Sequence, residues 1–280
     1  MKAVLQYRAS PGFADRLQRR CPPWLDIVII DEADKQRFTE EMRDAEVLLH
    51  ALEPVTAEVI VAAPRLKFIQ KIGVGINTID LEAATAHGIA VANMPGTNSQ
   101  AVAELSVTLM LATLRQVVYF DKETRLGRGW TADLVRIDRM GELGARTVGL
   151  IGYGEVGQRV AKIVTAFGAT VLYHDIASVD DAIGESRPRK EVLAESDIVS
   201  LHLPLVANTE RLINAKSLAC MRQGAILINT ARGGLVDEAA LVTALKSGQL
   251  GAAGLDVFQQ EPVNRENELL QLDNVIVMPH

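Results

Sequence analysis

Cysteine is nearly absent from this chain of 280 residues: Cys21 and Cys220 are its only two, and neither lies in a CxxC or a Cys/His cluster. That argues against a disulfide framework and against a structural zinc or other metal site. Aromatic residues are scarce as well, at 4%, although hydrophobic residues make up 48%. The core must then be built from Val, Ile, Leu and Ala, which suits parallel sheets covered by helices on both faces. No apolar run reaches membrane-spanning length, and the N-terminal Met1-Lys2-Ala3-Val4-Leu5-Gln6-Tyr7-Arg8 lacks the long apolar stretch of a signal peptide. Lys and Arg are scattered rather than clustered, and the net charge is −6, which argues against nucleic acid or a membrane surface as a partner. The expectation is a cytoplasmic protein.

What is present is alternation. Short apolar runs at Ala3–Tyr7, Ile27–Ile30, Val47–Leu49, Phe68–Lys71 and Ile89–Ala92 read as strands, with helical patterns such as Asp34–Asp44 and Thr56–Ala63 between them. The pattern breaks at Asn93-Met94-Pro95-Gly96. An apolar helical segment from about Asn98 to Leu126 follows, capped at Asn98 or Ser99, and reads as one buried connector between domains or subunits. From Thr147 the alternation resumes, with strands at Val148–Ile151, Val171–His174, Ile198–Leu201, Ala225–Asn229, Ala253–Asp256 and Val275–Met278. The fold class expected is α/β: two Rossmann or flavodoxin-like parallel-sheet domains with a cleft between them. Their expected bounds are 1–97 and 98–280, the second including the connector.

Strand Val148–Ile151 runs directly into Gly152-Tyr153-Gly154-Glu155-Val156-Gly157, and a helical pattern follows. In that context GxGxxG reads as a dinucleotide fingerprint: one glycine for the turn, one for approach of the pyrophosphate, one for close helix packing. The next strand ends in Asp175, 18 residues after Gly157, where a carboxylate meets ribose hydroxyls and repels a 2′-phosphate. The cofactor expected is NAD, in preference to NADP.

Ligands of an open parallel sheet bind beyond the carboxyl ends of its strands. At those ends stand His202, Leu203, Pro204 and Thr209, then Thr230, Ala231 and Arg232 beside Gly233-Gly234, then Asp256 with Glu261-Pro262 beyond it, and finally His280. His202 reads as a cofactor-side or structural residue rather than a catalyst. For Asp256, a contact near the nicotinamide and a turn role are both open.

These motifs resemble, in order and over nearly the whole chain, the D-isomer-specific 2-hydroxyacid dehydrogenases. The matching stretches are Gly152–Gly157 with Asp175, His202–Leu205, Asn229–Asp237, Gly254–Phe258 with Glu261-Pro262, and Pro279-His280; Gly73–Asp80, Asn93–Asn98 and Ala101–Glu104 extend the match into the first half. The resemblance implies hydride transfer between a D-2-hydroxy acid and its 2-keto acid, with Arg232, Glu261 and His280 as the catalytic set. His280 would be the general acid or base, Glu261 would orient its ring and favour the imidazolium, and Arg232 would grip the substrate carboxylate. Val74 and Gly75, with Arg232 and His280, would bind substrate, which makes residues 1–97 the substrate-binding domain.

Glyoxylate or hydroxypyruvate reductase, phosphoglycerate dehydrogenase and D-lactate-type enzymes share these motifs. His50-Ala51-Leu52-Glu53 after Val47–Leu49 places a carboxylate where a phosphorylated substrate calls for Arg or Lys, so a small unphosphorylated acid is favoured, although Lys71 could supply charge. A homodimer through the connecting helix is expected, and the alternative to an enzyme is an NAD(H)-sensing corepressor-like protein. Relatives continue past the catalytic histidine with a helix returning to the first domain, so the expectation is that this chain is shorter than its natural form and lacks that closing segment.

Overall fold

The structure is a computed structural model that describes residues 1–131 and 133–280. The chain divides into two compact units, Met1–Asn98 and Ser99–His280.

In the first unit five strands alternate with four helices: β1 (Lys2–Gln6), α1 (Pro11–Arg20), β2 (Asp26–Ile30), α2 (Lys35–Met42), β3 (Val47–His50), α3 (Ala57–Val61), β4 (Phe68–Lys71), α4 (Leu81–Ala86) and β5 (Ala90–Ala92). All strand pairs are parallel, in the order β2-β1-β3-β4-β5, the flavodoxin-like arrangement. Local chemistry sets the helix starts. Ser10 accepts from the Phe13 N–H ahead of Pro11, Asp34 from Arg37 and Asp80 from Ala83, each satisfying a donor that the first helical turn cannot. One sheet face packs Val4, Leu48 and Ile69 against Met42 and Ile60; the other packs Ala3, Leu5 and Ile27 against Phe13 and Leu17.

The second unit opens with α5 (Ser99–Leu114), α6 (Val117–Arg125) and α7 (Leu134–Asp138). Its sheet alternates β6 (Thr147–Ile151), α8 (Glu155–Ala166), β7 (Thr170–His174), β8 (Glu185–Ser186), α9 (Arg189–Glu195), β9 (Ile198–Leu201), α10 (Ala215–Cys220), β10 (Ala225–Asn229), α11 (Glu238–Ser247), β11 (Leu250–Leu255) and β12 (Val275–Val277). The seven strands are parallel in the order β12-β11-β10-β9-β6-β7-β8. In chain order this is the doubly wound arrangement, and its strand order reverses at β6 and β9. Leu150, Ile198 and Ile228 pack under α5 and α8; Ile151, Val199 and Leu227 pack under α9, α10 and α11.

The connector differs from its expected form. It is two helices, not one, bent by 59° where Gln116 takes the left-handed conformation with φ 49°. The Gln116 side chain leaves the helix to donate to the Arg136 carbonyl at 2.6 Å, a tertiary contact that outweighs local helical preference. Helix α5 is buried, as its apolar composition leads one to expect: Ala103, Ser106, Val107, Leu109, Met110 and Thr113 are all enclosed, and α5 falls in the second unit. Strand β8 was not expected, because Glu185–Ser186 is an exposed polar pair with no alternating pattern to betray it.

Candidate functional site

At the carboxyl end of β6 the chain turns at Gly152, whose φ is 95°. A β-carbon there would collide with the His202 carbonyl, and one at Gly157 would lie 2.5 Å from the Gly152 carbonyl oxygen. Two of the glycines therefore let strand, helix and the His202 loop touch backbone to backbone. Gly154 differs: nothing lies within 4 Å of where its β-carbon would be. It caps α8 with no side-chain bond, so no capping side chain competes for the N–H groups of the first turn, which begins with Glu155, Val156 and Gly157. A helix start of this kind takes an anion. This open, glycine-walled cradle fits a pyrophosphate.

Asp175 follows β7 beside the cradle. One carboxylate oxygen accepts the Tyr153 N–H at 2.6 Å and the other accepts the Ala177 N–H at 2.9 Å. Each oxygen retains lone-pair capacity for a hydroxyl. Tyr153 was not anticipated as a site residue. Its ring is buried, stacked on Tyr173 at 4.0 Å between centroids, and its hydroxyl donates to the Ile183 carbonyl. This ring anchors the variable position of the glycine loop from below.

His202 continues β9, its N–H donating to the Ile151 carbonyl at 2.7 Å. Its Nε2 is enclosed without a hydrogen-bond partner among the described residues, and burial pushes the ring down to about 4. At neutral pH it is an uncharged ring beside the glycine turn. The loop beyond, through Leu203 and Pro204, is closed by Thr209, which donates to the Pro204 carbonyl at 2.7 Å and accepts from Val206.

Beyond β10 the chain is braced by Asn229, a second residue not anticipated in the site. Its buried side chain accepts the Ala231 N–H and donates to the Arg232 carbonyl at 3.0 Å. An Asn ending an otherwise apolar strand is the sequence signal for such a turn. Thr230 is buried, and Arg232 is half-buried with its guanidinium donating to the Ala231 carbonyl. Burial lowers the Arg232 pKa and the Glu261 carboxylate opposes that fall; a guanidinium keeps its proton regardless. Gly233 has no room for a side chain, since a β-carbon would overlap the Phe258 carbonyl. The Arg232 loop and the loop after β11 thus touch directly.

That second loop carries Asp256 and Glu261. Glu261 accepts the Phe258 N–H at 2.9 Å through one oxygen and meets His280 Nδ1 at 2.6 Å through the other. Burial pushes the Glu261 carboxyl up, but the His280 and Phe258 bonds and the charges of His280 and Arg232 outweigh it, so the net shift is downward. Asp256, more enclosed, is raised by burial, and its carboxylate accepts the His280 N–H at 3.1 Å. Residues distant in sequence are thus brought together: Arg232, Asp256, Glu261 and His280 share one end of the sheet, with His202, Thr230 and the glycine loop on neighbouring strand ends. Val74 and Gly75 belong to the other unit, where the Asn93 side chain donates to the Val74 carbonyl at 2.8 Å.

Comparison with known proteins gives the family. Residues 107–280 match the family described as D-isomer specific 2-hydroxyacid dehydrogenase, NAD binding domain. The chain is 39% identical to a glyoxylate reductase of Korarchaeum cryptofilum over 258 residues, covering 89% of this chain and 77% of that protein. It is 39% identical to a hydroxypyruvate reductase of Thermotoga maritima over 257 residues, 90% of this chain and 83% of that one. Among solved structures it superposes on the NAD-dependent formate dehydrogenase of Staphylococcus aureus in complex with NAD, with a TM-score of 0.88, 27% identity, and coverage of 100% of this chain and 88% of that one. The chain belongs to the D-isomer-specific 2-hydroxyacid dehydrogenases, NAD-dependent oxidoreductases that act on the CH–OH group of their donors.

Proposed function

We propose that the chain reduces a small, unphosphorylated 2-oxo acid with NADH through Arg232, Glu261 and His280. The observation that carries this reading is the 2.6 Å Glu261–His280 bond at a strand end adjoining Arg232. Gly152, Gly154 and Gly157 would hold the dinucleotide, with Asp175 toward its ribose, and the nicotinamide would supply or accept the hydride. Reduction leaves negative charge on the carbonyl oxygen, and a proton must reach it. Glu261 engages Nδ1 of His280, so Nε2 is the nitrogen that exchanges the proton with substrate. Arg232 pairs with the substrate carboxylate in the two-pronged manner of a guanidinium. Thr230, Ala231 and Asp256 form the cofactor side of the same strand ends, with His202, Leu203, Pro204 and Thr209 flanking them. In the first unit, Val74 and Gly75 are the backbone groups that would bind substrate through their N–H donors.

The first unit supports a substrate without phosphate. Burial first, and then the Lys71 charge, push buried His50 down to about 4, so it is neutral. Lys71 is itself buried and donates to the Ala51 carbonyl, and Glu53 pairs with Lys35. A dianionic group calls for exposed cations at such strand ends. Steady-state turnover of glyoxylate, hydroxypyruvate and phosphohydroxypyruvate with NADH and NADPH tests this. The expected result is turnover of the unphosphorylated acids with NADH, and a narrower NADH preference in Asp175→Ala. Preference for the phosphorylated acid would overturn the substrate assignment.

We further infer that two copies associate through the arm that follows α5. Val117, Val118, Leu126, Trp130, Leu134 and Val135 are each more than half exposed, Trp130 at 89%, and exposed apolar surface on this scale marks a protein contact. Sedimentation should give twice the chain mass, and Trp130→Glu should shift it toward one chain. A monomer with or without the substitution would reject this interface.

A further inference from the structure

Ser106 lies in the middle of α5, fully buried, and its hydroxyl has two neighbours. One is the Val102 carbonyl, a turn earlier in the helix, at 2.8 Å. The other is the hydroxyl of Thr230, at 2.7 Å, 124 residues away in sequence. Each hydroxyl has one proton and can accept two hydrogen bonds. A carbonyl can only accept, so the Ser106 proton goes to Val102. The short contact between the hydroxyls then requires Thr230 to donate. The opposite arrangement leaves the Thr230 proton without an acceptor among the described residues, at a cost that buried polar groups avoid.

We propose that Ser106 is a positioning residue for the reaction: by fixing both the place and the proton of Thr230, it holds the Thr230–Arg232 turn in its working geometry. Two further features make α5 a firm support. Gly254 lets the helix rest on the β11 backbone, since a β-carbon there would sit 2.9 Å from Leu109 Cβ. The Asn229 side chain bridges to the N–H of Ala231 and the carbonyl of Arg232, so the residues on both sides of Thr230 are tied to one another. The Thr230 hydroxyl, its proton committed to Ser106, offers only lone pairs to anything else, and a ligand group beside it must be a donor such as an amide N–H or a hydroxyl. The proposal rests on Arg232 acting in the reaction.

The test compares Ser106→Ala, Ser106→Thr, Thr230→Val and the double variant Ser106→Ala/Thr230→Val, using glyoxylate or hydroxypyruvate, whichever the wild type turns over faster, at saturating NADH. Alanine suits a helix interior well, so the single variant should fold. Its expected kcat/KM is about tenfold below wild type, from a buried donor left unpaired. Thr at 106 keeps a hydroxyl that can bond to the carbonyl four residues back, and it should restore the rate. Removing both hydroxyls should cost less than the two single losses combined. A Ser106→Ala enzyme with a lowered Tm but unchanged kcat/KM would make the pair a packing feature and overturn the proposal, as would failure of Thr to restore the rate. If Arg232→Ala also ran at the wild-type rate, the reading of the site itself would fall, whereas an inactive Arg232→Ala beside an unimpaired Ser106→Ala would reject the positioning role alone.

Discussion

Replacing Arg232 by alanine should lower kcat/KM for the 2-oxo acid by roughly 10²–10³-fold, because the guanidinium that grips the substrate carboxylate also lies beside the carbonyl on which charge develops. Three observations place the effect on the guanidinium. The side chain is half-buried, so solvent screens its charge less than at an exposed site. Its backbone is held by Asn229 and by the Gly233–Phe258 contact, and those restraints do not depend on the side chain. NADH affinity should therefore change far less than turnover, because the glycine cradle follows β6 and Asp175 follows β7. Lysine at 232 should recover only part of the loss, since an ammonium cannot form the two-pronged pair. Stopped-flow NADH binding beside steady-state kinetics separates the two effects. A variant with near-normal kcat/KM would remove Arg232 from the catalytic set.

Replacing Glu261 by glutamine should change both the rate and its dependence on pH. The downward shift at Glu261 has a definite sign: the carboxylate, with the stability its bonds contribute, is present above the unfolded carboxyl pKa and is lost only as pH falls through the lowered value in the fold. Glu261 is therefore ionised across the neutral range, where it holds Nδ1 of His280. Without the carboxylate, kcat at pH 7 should drop by roughly 10²-fold or more, within the range set by loss of general acid catalysis. The wild-type loss of activity as pH falls through the lowered Glu261 value should disappear in the glutamine variant. An unchanged pH–rate profile would dissociate Glu261 from His280.

Much of this architecture can be read from residue order. The strand starts and ends at Phe68–Lys71, Ile198–Leu201 and Ala225–Asn229 are legible because buried parallel strands are short apolar runs. The glycine loop is legible because only glycine fits where backbones touch. The bend at Gln116 is not, because neither Gly nor Pro marks it and its cause is a bond to Arg136, 20 residues on. The Glu261–His280 pair spans 19 residues and has no periodicity, so family resemblance alone suggests it. Ser106 is silent for a different reason: a serine in an apolar helix is chemically ambiguous until its partner, Thr230, is known.

The contact between Gly233 and Phe258 has a consequence for how such a site can change over time. Arg232 and Glu261 are carried on two loops whose separation is set by main chain against main chain, and no side chain in that gap can be exchanged to tune it. The surrounding pocket is free to drift toward larger or smaller acids while the chemistry keeps its gauge. A protein engineer inherits the same rule: specificity can be rewritten residue by residue, but the guanidinium and the carboxylate must be transplanted together, as a single cast part.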